Sequence, residues 1–152
     1  MSSRSSHPAL SCADGFATGS ADLMQLIGRI LMGYLFLMFG WDKLTNIAGS
    51  TAYFTNLGVP SPASMPYPVG GLELIIGIAL ILGLATRYAA IVTFLFVLVA
   101  TLIAHRYWTY PAAAQSLQFT MLTKNLAIMG GSLFVMILGA GRFSIDAALA
   151  KK

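Results

Sequence analysis

Six residues of this chain carry chemistry where chemistry is costly: Arg29, Lys43, Glu73, His105, Lys124 and Asn125 each lie inside, or at the end of, a strongly apolar stretch. A charge at the centre of a membrane span costs at least about 2.5–3.5 kcal/mol on insertion scales, so such residues face a bundle interior, pair with one another, or serve a ligand or a proton path. Glu73 is the acid well inside a span and Lys124 the base at matching depth, so an ion pair between them is the expected arrangement. Such a pair either fixes helix register or relays protons and recognises a polar head group. Arg29 is expected to snorkel toward the nearer surface, with the alternative that it turns into the bundle and meets another polar group. His105 is an interface residue or a proton-handling one. Asn125 either bonds across helices with no further role or joins the same site. Asp42-Lys43 marks the interface, or Lys43 supports a ligand. The set excludes a metal centre, because one histidine in the bundle falls short of the several N or S ligands that Zn or Cu takes. Cys12 is the single cysteine, which excludes an intramolecular disulfide and CxxC redox chemistry.

The elements that must position these residues are helices in lipid. The chain has 152 residues, 57% of them hydrophobic and 9% charged, against about 25% charged in a soluble domain. A soluble fold of this size could not coat itself with so few charges. The formal net charge of +4 comes without a Lys/Arg run, which argues against nucleic acid and suits the basic loops of a membrane protein. Four apolar stretches, Leu23–Leu44, Val69–Leu84, Tyr88–Ala104 and Phe119–Leu138, read as spans when about 20 residues cross a core of about 30 Å; the second and third are short by that count and gain length from flanking residues such as Tyr67 and His105 at the interface. The third is rich in β-branched residues, yet a segment in lipid must pair its own backbone, so it too is helical. The expected fold is an all-α four-helix transmembrane bundle with a short interfacial segment, Ser50–Leu57, between spans one and two. Residues 1–21 are Ser-rich and polar and are expected to be a disordered tail; 22–148 form the bundle, and 149–152 a basic end. Glycines in spans one, two and four are expected to allow close helix packing.

Loop charge sets the direction of the spans. With the N-terminus inside, Arg4, Arg87, Arg142, Lys151 and Lys152 fall on the cytoplasmic side, and Lys43 and Arg106 on the other; the positive-inside rule favours cytoplasmic termini. Span one then ends at Asp42-Lys43, Glu73 lies about one turn below the outer face, span three ends at His105, and Lys124-Asn125 enter about one turn down. All four spans contribute polar groups to one layer in the outer leaflet, and Arg29 stands apart in the inner one.

The order and spacing of these motifs resemble the DoxX family of small four-helix bacterial membrane proteins. The resemblance rests on Gly28-Arg29-Ile30-Leu31, Gly40-Trp41-Asp42-Lys43-Leu44, Tyr53-Phe54, Leu57-Gly58-Val59-Pro60 and Glu73 among glycines. It continues through Gly83-Leu84-Ala85-Thr86-Arg87, His105 and Lys124-Asn125-Leu126 to Gly139-Ala140-Gly141-Arg142-Phe143-Ser144-Ile145-Asp146. The match covers about Leu23–Ala148, and it departs from the family where Ala140 replaces the proline of a Gly-Pro-Gly turn. What the resemblance implies is an inner-membrane protein tied to redox chemistry. One branch resembles a quinone-reducing oxidoreductase subunit, and another joins an oxidoreductase complex in oxidative-stress defence. The expectation is therefore a subunit that takes a membrane quinone or another lipid-soluble ligand at the outer-leaflet layer, with Glu73 and Lys124 facing it and Arg29, Lys43, His105 and Asn125 in support. The alternatives are a non-enzymatic anchor or assembly subunit of an oxidoreductase complex, and a small transporter. Nothing in the sequence speaks to oligomeric state.

Overall fold

The computed structural model describes residues 8–151, with side chains placed from residue 14 onward. Every regular element among the described residues is helical: α1 (Pro8–Thr45), α2 (Ile47–Asn56), α3 (Pro66–Leu82), α4 (Thr86–Ala104), α5 (Ala112–Leu138) and α6 (Ile145–Leu149), with a 3-10 turn at Tyr107–Thr109. Asp14–Thr45, Thr86–Thr109 and Ala112–Leu138 are long and apolar enough to cross a membrane, and α3 is the shorter apolar fourth. This is the expected all-α four-helix membrane bundle. The interfacial segment is the short helix α2, started by Asn46, whose Oδ1 accepts from Gly49 N at 3.1 Å.

Helices α2 and α3 each start three residues before the expected Ser50 and Val69, and two other boundaries differ more from the hydropathy reading. Helix α1 starts at Pro8, so residues 8–21 continue the first span as helix; residues 1–7 of the expected tail lie outside the described residues. Ala9, Ala13, Ala17 and Ala21 recur every fourth residue, and alanine is the strongest helix former. The 38 residues of α1 make about 57 Å at about 1.5 Å each, far more than lipid requires. Helix α5 likewise starts at Ala112, about two turns before the expected Phe119, after the 3-10 turn and Pro111.

The helices associate as two pairs. Helix α1 lies along α3 and α4 along α5; the pairs meet mainly where α3 touches α4, and α1 and α5 barely touch. The α1–α3 contact is made by glycine. A Cβ on Gly33 would stand 2.7 Å from Gly77 O, and one on Gly40 would stand 2.7 Å from Gly70 O and 2.8 Å from Leu74 N. Matched seven-residue spacings, Gly33 to Gly40 and Gly70 to Gly77, thus bring two antiparallel backbones together, as small residues do in lipid. Phe36, Ile76, Leu80, Ala89, Val97 and Met129 form the core where the pairs join.

Side chains fasten the end of the bundle that holds the α3–α4 turn. Asp146 accepts from Ala85 N at 2.7 Å and from Thr86 N at 2.8 Å, so the carboxylate caps free amides at the start of α4. Burial pushes the Asp146 carboxyl up, but the Thr86 and Ala85 amides and the charge of Arg29 outweigh it and leave it below the usual range. Arg87 Nη1 donates to Met136 O and Ile137 O, at 2.6 and 2.8 Å, at the last turn of α5. Arg142 N donates to Asp22 Oδ1 at 2.9 Å, which ties the C-terminal loop to α1.

Candidate functional site

At the opposite end, a cavity of about 600 Å³ opens between the two pairs, beneath α2. Its polar wall includes Asp42, Lys43, Glu73, His105, Lys124 and Asn125, with Asn46, Ser50 and Tyr53 at the α2 side, and its apolar wall includes Phe36, Phe39, Phe96 and Ile128. Helices α1, α3, α4 and α5 all contribute, which is the single polar layer that spacing and topology foretold. Its volume lies within the range of about 300–1,000 Å³ usual for small-ligand sites, and its few convergent polar groups on apolar walls fit that type.

The ion pair inside the cavity differs from the expected one. Glu73 pairs with Lys43: Nζ lies 2.8 Å from Oε2 and donates to Oε1 at 3.0 Å. The two side chains keep 17% and 7% of their surface. Oε2 makes the charge contact but lies outside hydrogen-bond geometry and is otherwise unpartnered. The reason for the partner is register. Helical side chains lean toward the N-terminus, so in an antiparallel pair Lys43 and Glu73 lean toward one level, that of Gly40 and Gly70. A Cβ on Gly40 would meet Glu73 Cβ at 3.0 Å and one on Gly70 would meet Lys43 Cβ at 3.1 Å. The glycines that join α1 to α3 also clear the space for the pair.

Lys124 is left without a carboxylate. Its Nζ lies 3.3 Å from Met121 Sδ and 5.7 Å from the Phe39 ring centroid, while Lys43 lies 5.4 Å from the same ring. One ring thus faces two ammonium groups, a cation–π arrangement that leaves Lys124 with unused donors toward the cavity. Asn125 is buried and donates from Nδ2 to Thr101 Oγ1 at 2.9 Å, which links α5 to α4. His105 Nδ1 sits 2.8 Å from Gln118 Oε1, a hydrogen bond that joins the end of α4 to α5. The Tyr110 hydroxyl donates to Ala104 O at 2.8 Å and holds the loop beside it.

Arg29 follows the alternative reading and turns into the bundle to meet polar groups there. It neither snorkels nor joins this cavity: it is 1% exposed, at the other end of the bundle. Nη1 donates to Leu80 O at 2.9 Å and Ile81 O at 3.2 Å, and Nη2 to Phe143 O at 2.5 Å. A guanidinium placed on the last carbonyls of α3 complements that helix end. Sequence reasoning missed Phe39, Thr101 and Gln118. Phe39 and Lys43 are one helical turn apart, and that spacing was the available signal for Phe39. Thr101 and Gln118 had none, since polar residues of these types are common at helix ends.

The sequence model of the DoxX family matches residues 24–106, and that of the SURF4 family matches residues 69–152. Inner membrane protein YqjF of Escherichia coli K12 is 37% identical over 134 residues, covering 86% of this chain and 95% of that protein. Inner membrane protein YphA of the same strain is 30% identical over 124 residues, covering 82% and 89%. A Bacillus subtilis 168 protein named "Putative oxidoreductase CatD" is 32% identical over 72 residues, 47% of this chain and 52% of that one. No solved structure matches. The DoxX match takes in Arg29, Lys43, Glu73 and His105, the polar positions of α1, α3 and the end of α4, and YqjF aligns along nearly its whole length: this chain belongs to the DoxX family of membrane proteins.

Proposed function

We propose that the chain is an inner-membrane protein with both termini cytoplasmic, and that it binds a quinone-like molecule in the cavity, which then lies in the outer leaflet. The observation that carries this reading is Lys124, an ammonium with no carboxylate partner among the described residues, at the mouth of a mainly apolar cavity beside a buried acid–base pair. An ammonium in that setting is a strong donor to a carbonyl oxygen. Phe39 and Phe96 offer flat apolar surface for a ring. Reduction of a quinone takes two electrons and two protons. Lys43–Glu73 and His105 are the groups that can pass protons to the carbonyl oxygens, and a partner oxidoreductase subunit supplies the electrons. The inner-membrane names of YqjF and YphA and the oxidoreductase name of CatD agree with this direction. The role that follows is in redox homeostasis or stress tolerance.

The test is titration of the detergent-purified protein with a short-chain ubiquinone analogue, read by quenching of Trp41 and Trp108. Lys124→Met is expected to weaken binding about tenfold, the effect of one charge-assisted hydrogen bond, without loss of folded protein. Equal affinity of Lys124→Met and the parent chain would overturn the assignment. A chain that binds no quinone at all, yet co-purifies with a partner subunit through the same residues, would make it an anchor.

A further inference from the structure

A second cavity, of about 510 Å³, lies at the Arg29 end along the seam where α1 and α5 barely touch. Its walls come from α1 and from the last turns of α5, and they are apolar except at Gln25 and Arg29. Both of these present an unmet bonding group. Arg29 Nε is buried with no hydrogen-bond partner, and so is Gln25 Oε1. The Arg29 charge is also without a carboxylate in contact. Its other nitrogens are bonded to neutral carbonyls; the charge of Asp146 reaches it from the α3–α4 turn, but the oxygens of that carboxylate are bonded to the α4 amides, and Asp22 is bonded to Arg142 N. Arg87 adds a second cation at the last turn of α5, beside Gly139 of the cavity wall. A buried donor left unmade costs about 1–3 kcal/mol.

We infer that this cavity is a site for an anionic phospholipid, with a phosphate oxygen on Arg29 Nε and an acyl chain along Met32 and Phe134. The phosphate supplies the acceptor that Arg29 Nε lacks and a negative charge in contact with the guanidinium. Gln25 completes the contact by turning its amide, because Oε1 and Nε2 exchange places with a half-turn and the NH₂ then donates. The depth is right for a head group: Arg29 is level with the last carbonyls of α3 and with the loop at Phe143, where span gives way to surface. Basic pockets between helices on the cytoplasmic side are a recurrent seat for such lipids. The site is distinct from the quinone cavity and does not depend on it.

Gly28 provides a clean test. It lines the cavity, and a Cβ built on it meets nothing within 4 Å. Gly28→Phe therefore fills the cavity while Arg29 keeps its bonds, whereas Gly28→Ala leaves most of it open. Protein in mixed micelles of phosphatidylglycerol and phosphatidylcholine with matched chains is repurified, and the retained lipid is counted by mass spectrometry. The parent chain and Gly28→Ala are expected to hold about one phosphatidylglycerol per chain, about tenfold enriched over the micelle, the order of a charge-assisted contact. Gly28→Phe, monodisperse and equally helical, is expected to fall to the micelle ratio. No enrichment in the parent chain would overturn the site, and so would equal enrichment in Gly28→Phe. Equal retention of both lipids would reduce the cavity to a head-blind acyl groove and refute it too.

Discussion

The buried pair Lys43–Glu73 makes a prediction with a sign as well as a size. At contacts of 2.8 and 3.0 Å, and with an effective dielectric of about 20, two unit charges attract by about 5–6 kcal/mol. Most of that offsets the removal of both ions from water, so the intact pair contributes little net stability. Loss of one partner is different, because it strands the other charge. Lys43→Met strands a carboxylate whose side chain is 7% exposed; Glu73→Gln strands an ammonium that is 17% exposed and still faces the Phe39 ring. Lys43→Met is therefore expected to be the worse single change, at about 3–5 kcal/mol, with Glu73→Gln smaller because its stranded group has water and a ring to turn to. The double variant Lys43→Met/Glu73→Gln is expected to recover most of the loss. The assay is reversible unfolding in mixed micelles, followed by Trp fluorescence and circular dichroism, run as a double-mutant cycle. Two singles within about 0.5 kcal/mol of the parent and additive in the double would refute the argument, because they would mean that water reaches both groups and that register, not charge, sets their distance.

Three further outcomes follow from the same geometry. Gly40→Ala puts a Cβ 2.7 Å from Gly70 O and 2.8 Å from Leu74 N, both backbone atoms that cannot turn aside; it should cost about 1–3 kcal/mol as an overpacked contact, read as a lower melting temperature, while Gly71→Ala, whose Cβ meets nothing within 4 Å, should be silent. Asp146→Asn keeps one acceptor for the α4 amides and loses the charge, for about 0.5–2 kcal/mol. Because the native carboxyl of Asp146 is held below its usual range, its contribution is present above the unfolded value near pH 4 and fades as pH falls through the lower folded value; melting temperature against pH in the parent and in Asp146→Asn should converge only at the acid end. Asn125→Leu breaks the bond to Thr101 and should cost about 0.6–2 kcal/mol, the span of interhelical bonds in membranes, seen in the same unfolding assay.

The parts of this fold that were legible are those decided by solvent. Four apolar stretches give four spans, because lipid admits little else than helices. The segment 8–21 was not legible by the same reasoning: it is too polar for lipid, and hydropathy says nothing of a helix that continues into water on alanines four apart. The short α3 was legible as a span, whereas its end was set more sharply by Gly83, whose φ of +66° is the left-handed stop that glycine supplies at low cost.

Depth and pairing are different kinds of information, and the candidate site separates them. Spacing along the four spans fixes how deep a residue lies, and it puts Lys43, Glu73, His105, Lys124 and Asn125 in one layer. Which cation meets Glu73 depends instead on neighbours around the bundle and on axial register, and both are set by the glycine contact of α1 with α3. The equal seven-residue steps of Gly33–Gly40 and Gly70–Gly77 encode that register, and in antiparallel alignment they bring Lys43 and Glu73 to lean toward each other. The same contact leaves Lys124 on the far pair of helices. A packing motif that looks chemically inert thus decides which base is neutralised and which keeps its donors for a ligand. Arg29 follows the rule at the other end: its depth was readable, but the carbonyls of Leu80, Ile81 and Phe143 that hold it arrive from two other segments. A residue's chemistry in this bundle is set less by its own type than by which helix the glycines allow beside it.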